Sequence, residues 1–191
     1  IPNYKTMPYF FVYYTAKGGN TIIARYQASK SNPDSAIKNS GVTLFTFPGA
    51  GFNGPKFGQL HFGADSLLYF TVSDGSSPTL TTTFAQDLTL NYGKMMRIDV
   101  RLKNPPYYTI PPTNPFVNTP NVLPEIFAIG FRNAWRWSFD RQTGNMWIAD
   151  VGGERFEEVN VTIPAQQGGV NYGWPCYEAN TSYVPTGCRN I

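Results

Sequence analysis

The chain has 191 residues, of which 41% are hydrophobic and only 14% are charged, which supplies enough apolar material for a buried core and too little charge for a disordered chain. Fifteen basic residues against 12 acidic ones leave a formal charge of +3, and the basic residues are scattered without runs, which argues against a nucleic-acid-binding surface. No apolar run approaches the roughly 18 residues that span a bilayer. We therefore expect a globular protein without a transmembrane segment.

Apolar and polar residues alternate with a period of two along most of the chain, and Gly, Pro, Asn and Asp separate the alternating stretches. This pattern predicts an all-β protein without helices. The predicted strands cover residues 9–16, 21–28, 41–47, 59–62, 67–72, 94–100, 125–131, 135–139, 145–150 and 156–163. Turns containing Gly and Asn at 18–20 and 142–145 favour hairpins, so neighbouring strands should pair antiparallel.

One pattern occurs twice, as LHFGADSLLYFTVSDG at 60–75 and as WSFDRQTGNMWIADVG at 137–152. Both copies contain an apolar-x-Phe start, a polar turn, an aromatic-centred strand and an exit loop with Asp and Gly. Such repetition is typical of β-propeller blades, whose radial arrangement protects strand edges. A β-sandwich is the alternative, although it gives no reason for a repeated exit loop.

The segment 103–124 contains seven prolines and cannot form an interior strand. Its apolar side chains favour an ordered surface excursion that packs on the body of the domain, rather than a flexible linker. These side chains belong to Tyr107, Tyr108, Ile110 and Phe116.

Two cysteines, Cys176 and Cys188, lie in a loop-like stretch without a second pair or a nearby His, so a local disulfide is favoured over a zinc site. Two glycosylation sequons begin at Asn160 and Asn180, and the second is the better candidate because the first lies in a predicted strand. Together these features predict a secreted or extracellular glycoprotein. The chain begins at Ile1 without a signal-peptide pattern, so we expect it to be processed or truncated.

Several motifs in order along the chain resemble the glucose/sorbosone dehydrogenase family, which includes soluble quinoprotein sugar dehydrogenases and hedgehog-interacting proteins. They are AQDL at 85–88, GKMMRIDV at 93–100, IPPTNPFV at 110–117, EIFAIGFRNAWRWSFDRQTGNMWIADVG at 125–152, FEEVN at 156–160 and GGVNYGWP at 168–175. The resemblance implies a six-bladed β-propeller. At about 40 residues or more per blade, the chain would supply roughly three to four blades of one incomplete domain spanning 1–191.

The resemblance also implies a cofactor site in the aromatic stretch FRNAWRWSFD at 131–140. In the family enzymes an Arg-Asn pair matching Arg132 and Asn133 contacts pyrroloquinoline quinone (PQQ), because a guanidinium can hold a carboxylate or quinone oxygen bidentately. The alternative is that Arg132 only binds carbonyl groups inside the propeller. We interpret Arg136 as a structural residue stacked on Trp135 or Trp137.

A calcium ion that touches the quinone is the other implied feature. Its ligands would be backbone carbonyl groups in the loop Val151-Gly152-Gly153, the carboxylate of Glu157 and an oxygen near Tyr172, since calcium prefers hard oxygen ligands. Where this chain has Gly153 and Glu157, the family often has Pro or Gln and a shorter Asp. An exposed strand end at Glu157 is the alternative interpretation.

The family's catalytic His, which takes a proton from the sugar hydroxyl, is missing. The matching stretch GFNGPKFGQLHFG places Pro55 or Phe52 at that position, and His61 lies inside a predicted strand, where we interpret it as structural. The sequence thus favours a catalytically silent module that binds an extracellular protein or glycan partner. The alternative is a PQQ- and calcium-dependent dehydrogenase that oxidises a sugar or a related alcohol.

Overall fold

The computed structural model describes residues 8–32, 34–49, 58–75, 83–166, 168–184 and 188. The described part is built from β-strands, with short 3₁₀ turns at Phe84–Gln86 and Pro164–Gln166 and no α-helix. The strands are β1 (Tyr9–Thr15), β2 (Thr21–Gln27), β3 (Val42–Phe47), β4 (Leu60–Phe62), β5 (Leu68–Val72), β6 (Lys94–Ile98), β7 (Ile126–Ile129), β8 (Ala134–Phe139), β9 (Met146–Asp150), β10 (Glu158–Thr162), β11 (Tyr177–Glu178) and β12 (Thr181–Ser182).

The chain divides into two compact units, Ile1–Pro55 and Lys56–Ile191. In the first unit β1, β2 and β3 form an antiparallel sheet in that order. Gly19, at a φ of +85°, closes the turn between β1 and β2, and its N–H donates to the carbonyl of Ala16. This left-handed conformation is one that glycine adopts without steric cost, so the predicted hairpin at 18–20 is confirmed.

The second unit contains a four-stranded sheet in the order β4-β5-β6-β7, a three-stranded sheet β8-β9-β10 and the hairpin β11-β12. Every pairing between these strands is antiparallel. Strand β9 alternates buried and exposed residues, whereas β5, β6 and β7 are buried at every residue. The first two sheets share one apolar cluster. Its members are Leu67, Tyr69, Met95, Phe127, Ala128, Phe131, Ala134, Trp137, Met146 and Ile148.

Two hydrogen bonds join these sheets at the edge of the cluster. The Thr71 hydroxyl donates to the carbonyl of Ala134 at 3.0 Å, and the side-chain oxygen of Gln59 accepts the N–H of Trp137 at 3.1 Å. Strands β4 and β5, which belong to the first sequence repeat, are therefore held beside β8, which belongs to the second.

The ten strands predicted from the sequence correspond to β1–β10, with ends that differ by up to two residues. The strand predicted at 125–131 stops at Ile129 because Gly130 has a φ of +80°, and a Cβ there would lie 2.2 Å from the Asn171 side-chain oxygen. Strands β11 and β12 were not predicted, since two residues each are too few to show alternation.

The proline-rich segment 103–124 contains no strand, and the aromatic and aliphatic side chains expected to pack on the body are half-buried. Its anchor is Asn114, which is 3% exposed. The Asn114 side chain accepts a hydrogen bond from Arg97 Nε at 2.7 Å and donates to the carbonyls of Arg97 and Pro124 at 2.9 and 2.8 Å. The excursion is thus hydrogen-bonded to β6.

We predict that Asn114→Ala lowers the free energy of unfolding by about 2–4 kcal/mol, because it removes the acceptor of the buried Arg97 Nε and the side-chain donor to two carbonyl groups. Urea unfolding of the full-length protein measures this loss. The control is Asn118→Ala, an exposed position in the same segment, which should change stability by less than about 0.5 kcal/mol. Equal losses in the two variants would contradict the anchoring role.

Candidate functional site

The turn formed by Arg132 and Asn133 lies between β7 and β8 and is fixed by one carboxylate. Asp150, the last residue of β9, accepts the backbone N–H of Arg132 at 3.0 Å and that of Asn133 at 2.6 Å. The Asn133 carbonyl in turn accepts the N–H of Val151. Because Asp150 is only 4% exposed, these backbone bonds are shielded from water and hold the turn in one conformation.

The side chains of the turn leave one donor and one acceptor unused. Arg132 Nη1 donates to the Val151 carbonyl at 3.2 Å, and the guanidinium carbon lies 5.6 Å from the centroid of the Trp174 ring. In the described part of the chain, the buried Arg132 Nε and the buried Asn133 Oδ1 have no hydrogen-bond partner. A buried donor and acceptor without partners are costly unless a ligand or water satisfies them.

Trp174, whose ring lies beneath Arg132, is hydrogen-bonded at both its side chain and its backbone. Trp174 Nε1 donates to the carboxylate of Asp74, and Gln86 Nε2 donates to the Trp174 carbonyl at 2.7 Å. Gln86 and Asn171 also pair their side-chain amides reciprocally, at 3.0 and 2.8 Å. This network joins the AQDL motif to the NYGWP motif, 85 residues later in the chain. Both motifs carry the family resemblance, but the sequence did not indicate that Asp74 or Gln86 belongs to the site.

Arg136, the other arginine of the aromatic stretch, is exposed on β8. Its guanidinium carbon lies 5.0 Å from the centroid of the Trp135 ring, and Nη1 donates to the Trp135 carbonyl. The predicted stacking on a neighbouring tryptophan is confirmed. Arg132 and Arg136 therefore have different surroundings although they are four residues apart.

The residues predicted to bind calcium have other partners. The Val151 carbonyl accepts a bond from the cationic Arg132 side chain, and the Gly152 N–H donates to Glu157 Oε2 at 3.2 Å. The Tyr172 ring stacks on Phe131 at 4.5 Å. Within the described ranges, no three His, Cys, Asp or Glu side chains cluster in a way that could hold a metal. The guanidinium on the Val151 carbonyl disfavours a cation there, whereas these contacts do not involve the carbonyl groups of Gly152 and Gly153, so the calcium assignment stays a prediction.

The loop after β9 is instead organised around a carboxylate that the sequence did not indicate. Glu178 Oε1 accepts the backbone N–H groups of Glu154, Arg155 and Phe156 at 2.8, 3.1 and 3.3 Å. Burial raises the pKa of Glu178, but these N–H groups outweigh it and hold the pKa below its ordinary value. Gly153 approaches the same carboxylate, because a Cβ there would lie 3.4 Å from Glu178 Oε1.

Glu178 lies on β11, inside the loop closed by a disulfide between Cys176 and Cys188. The predicted disulfide is therefore present. The β11–β12 hairpin is also hydrogen-bonded to β10, because Glu158 accepts the N–H of Ala179 at 2.6 Å. Glu178 thus connects the disulfide loop with the loop after β9, and Glu158 connects it with β10.

His61 lies on β4 and packs between the two sheets. Its ring meets the Trp137 ring edge-on, with centroids 4.9 Å apart, and its Nε2 is hydrogen-bonded to the Gln59 side-chain amide. Burial lowers the pKa of His61, which a hydrogen bond with the Trp137 backbone partly offsets. These contacts agree with a structural role. Pro55 and Phe52, the two positions that match the family's catalytic His, lie outside the described residues.

Asp150 has an unusual pKa for a carboxylate. Burial raises its pKa to about 7, and the nearby charges of Glu158 and Asp74 act in the same direction, against the lowering effect of the two backbone N–H donors. The folded state therefore binds this proton more tightly than the unfolded state does.

We predict that the free energy of unfolding falls as the pH rises from the ordinary Asp value of 3.8 to about 7, because the folded protein must then lose a proton that it binds tightly. Urea unfolding across this range measures the slope, and Asp150→Asn should flatten it. The matched control is Asp140→Asn, since the pKa of Asp140 is lowered by backbone N–H groups of Thr143 and Gln142. An unchanged slope in Asp150→Asn would refute the assignment.

Among the described residues, no helix is both long enough and apolar enough to cross a membrane.

Comparison with other proteins identifies both curated relatives and similar solved structures. The chain is 38% identical to the HIPL1 protein of Arabidopsis thaliana over 86% of its length, and 32% identical to the Hedgehog-interacting protein of Homo sapiens over 73%. It spans 25% and 21% of the lengths of these curated relatives. The similarity therefore concerns one part of much longer proteins.

Among solved structures, the chain is similar to the soluble aldose sugar dehydrogenase of Escherichia coli, with a TM-score of 0.72 and 22% identity. That match covers 96% of this chain and 51% of the other. At this identity the likeness shows the fold alone, and it confirms the predicted all-β architecture as part of a β-propeller. The sequence profile described as Glucose / Sorbosone dehydrogenase matches residues 1–190, and the chain belongs to that family.

Proposed function

We propose that this chain is part of an extracellular propeller that has lost the family's sugar oxidation and serves as a binding module for a protein or glycan partner. The observation that carries the proposal is the absence of a proton acceptor at the family's catalytic position, where the sequence has Pro55 or Phe52. Loss of a general base typically costs about 10²- to 10⁴-fold in rate. The name of one relative, Hedgehog-interacting protein, also supports a protein partner.

His61 is a poor substitute for the missing base. Its ring is engaged by Trp137 and by the side chain of Gln59. His61 also lies on β4, in the four-stranded sheet. The unpartnered Arg132 Nε and Asn133 Oδ1 lie in the turn before β8, which belongs to the three-stranded sheet. A base must reach the proton that it abstracts to within hydrogen-bonding distance, directly or through one water.

The second candidate is a PQQ-dependent sugar or alcohol dehydrogenase, favoured by the unpartnered Arg132 Nε and Asn133 Oδ1. The buried Arg132 Nε fits a carboxylate or carbonyl oxygen of a quinone, with the guanidinium as the cationic partner, whereas the buried Asn133 Oδ1 would need a hydrogen-bond donor of the ligand. Bound PQQ would supply the hydride acceptor for such a reaction. Calcium fits less well, because the Val151 carbonyl already accepts a bond from a guanidinium.

The two candidates differ in the result of an oxidation assay. The full-length protein is incubated with PQQ, calcium, a panel of aldoses and an artificial electron acceptor, and the E. coli aldose sugar dehydrogenase serves as the positive control. We expect no aldose-dependent reduction of the acceptor above the background without protein. Saturable reduction that disappears in Arg132→Ala but persists in Arg136→Ala would overturn the silent-module proposal and favour the dehydrogenase.

Secretion is part of the proposal, and the two sequons make it testable. Asn180 is exposed at the tip of the β11–β12 hairpin, whereas the half-buried Asn160 donates a hydrogen bond to Glu158 at 3.1 Å. The hydroxyl of Thr162, the third residue of the first sequon, is bonded to Tyr172 in a buried position. The folded chain thus accommodates a glycan at Asn180 more readily than one at Asn160.

We predict that the protein secreted from eukaryotic cells carries one N-glycan, which Asn180→Gln removes and Asn160→Gln does not. Mass spectrometry before and after enzymatic deglycosylation gives the number and position of the glycans. A glycan found at Asn160 alone, or none on the secreted protein, would contradict this part of the proposal.

A further inference from the structure

The β11–β12 hairpin contributes two side chains to the surroundings of Arg132. Glu178 on β11 accepts the three N–H groups of the loop 154–156. Tyr183, which directly follows β12, stacks on the Trp174 ring with centroids 5.2 Å apart, and the Arg132 guanidinium lies over the same ring. The hairpin is therefore in contact both with the loop after β9 and with the ring that Arg132 covers.

The hairpin by itself is a weak structure. Its two strands contain two residues each. The N–H of Tyr183 also donates to the carbonyl of Cys176 at 2.8 Å, and the N–H of Val184 donates to that of Pro175 at 3.0 Å. Because an isolated two-stranded hairpin is marginally stable at best in water, these bonds alone do not keep it folded.

Two features raise the free energy of the hairpin in this position. Ala179 in its turn has a φ of +52°, a left-handed conformation that costs free energy for a residue with a Cβ. In the described part of the chain, the buried Glu178 Oε2 has no hydrogen-bond partner, and water would satisfy it if the hairpin moved. The disulfide between Cys176 and Cys188 opposes such a movement, because it limits the conformations of the loop that it closes.

The two cysteines of this disulfide differ in accessibility. Cys176 is 1% exposed, whereas Cys188 is exposed to solvent. A thiolate attacks the disulfide sulfur that it can reach, and the other sulfur is the leaving group. Attack from solvent is therefore directed to Cys188, and Cys176 leaves.

We propose that the Cys176–Cys188 disulfide is a redox-sensitive switch for the loop 154–156, with an external dithiol as the reductant. One thiolate of the dithiol bonds to Cys188 Sγ and breaks its bond to Cys176, which takes a proton and becomes a thiol. The second thiol of the dithiol then displaces Cys188 as the second protein thiol. The dithiol thereby gives up two electrons and two protons and becomes a disulfide. Without the cross-link, Glu178 separates from the loop, whose N–H groups become open to water.

The expected change is local and does not depend on the proposed function. Asp150 binds the backbone of Arg132 and Asn133 independently of the hairpin. Reduction should therefore leave this turn in place and release the loop that continues from Val151, whose carbonyl accepts a bond from Arg132.

Hydrogen–deuterium exchange of the full-length protein, measured by mass spectrometry with and without dithiothreitol, tests the proposal. We expect the N–H groups of residues 154–156 to exchange about tenfold faster or more after reduction, since their hydrogen bonds to a carboxylate are lost. Reoxidation should slow them again, and strands β5 and β6 should exchange at the same rate in both forms. Unchanged exchange in the loop, or an equal acceleration in β5 and β6, would overturn the proposal.

Two variants assign the effect to this disulfide and to Glu178. Cys188→Ser cannot form the cross-link, so without dithiothreitol its loop should exchange as fast as that of the reduced parent protein. Glu178→Ala lacks the acceptor, so its loop should exchange fast in either form. The control Tyr177→Phe alters an exposed residue of the same strand and should respond as the parent does. Loop exchange in Cys188→Ser that matches the oxidised parent, or loop exchange in Glu178→Ala that still accelerates on reduction, would contradict the switch.

Discussion

The candidate site depends on the two hydrogen bonds that the Asp150 carboxylate accepts. It binds the backbone N–H groups of both Arg132 and Asn133, so the end of β9 fixes the residues that lead into β8. With the turn fixed, the Arg132 carbonyl accepts the N–H of Asp74, and its guanidinium reaches the Val151 carbonyl above the Trp174 ring. Burying a carboxylate costs free energy, and the raised pKa of Asp150 reflects that cost.

Alternation and turn residues were sufficient to predict the strands because both are local signals, although β5, β6 and β7 are buried at every residue. Arg132 and Asn133 were also identified from the sequence, by resemblance to a family motif. Four residues were missed: Asp74, Gln86, Asp150 and Glu178. Their roles depend on partners 100, 85–88, 17–18 and 22–24 residues away, and such pairings follow from how the strands are arranged, which a single sequence does not show.

The proposed function separates ligand binding from proton transfer. A turn with an unpartnered donor and acceptor is compatible with ligand binding, while the sequence offers no proton acceptor where the family has its catalytic His. The loop beside the turn is held by the internal carboxylate of Glu178, which a disulfide-closed hairpin supplies. A propeller that keeps a rigid site without a base can bind without reacting, which is how fold and function become uncoupled.

The central claim is that the chain does not oxidise a sugar, because no proton acceptor stands at the family's catalytic position. The most direct measurement is the absorbance of the quinone after the full-length protein is mixed with PQQ, calcium and an aldose. The account predicts no aldose-dependent reduction of the quinone above the background without protein. Reduction that is lost in Arg132→Ala and retained in Arg136→Ala would contradict it.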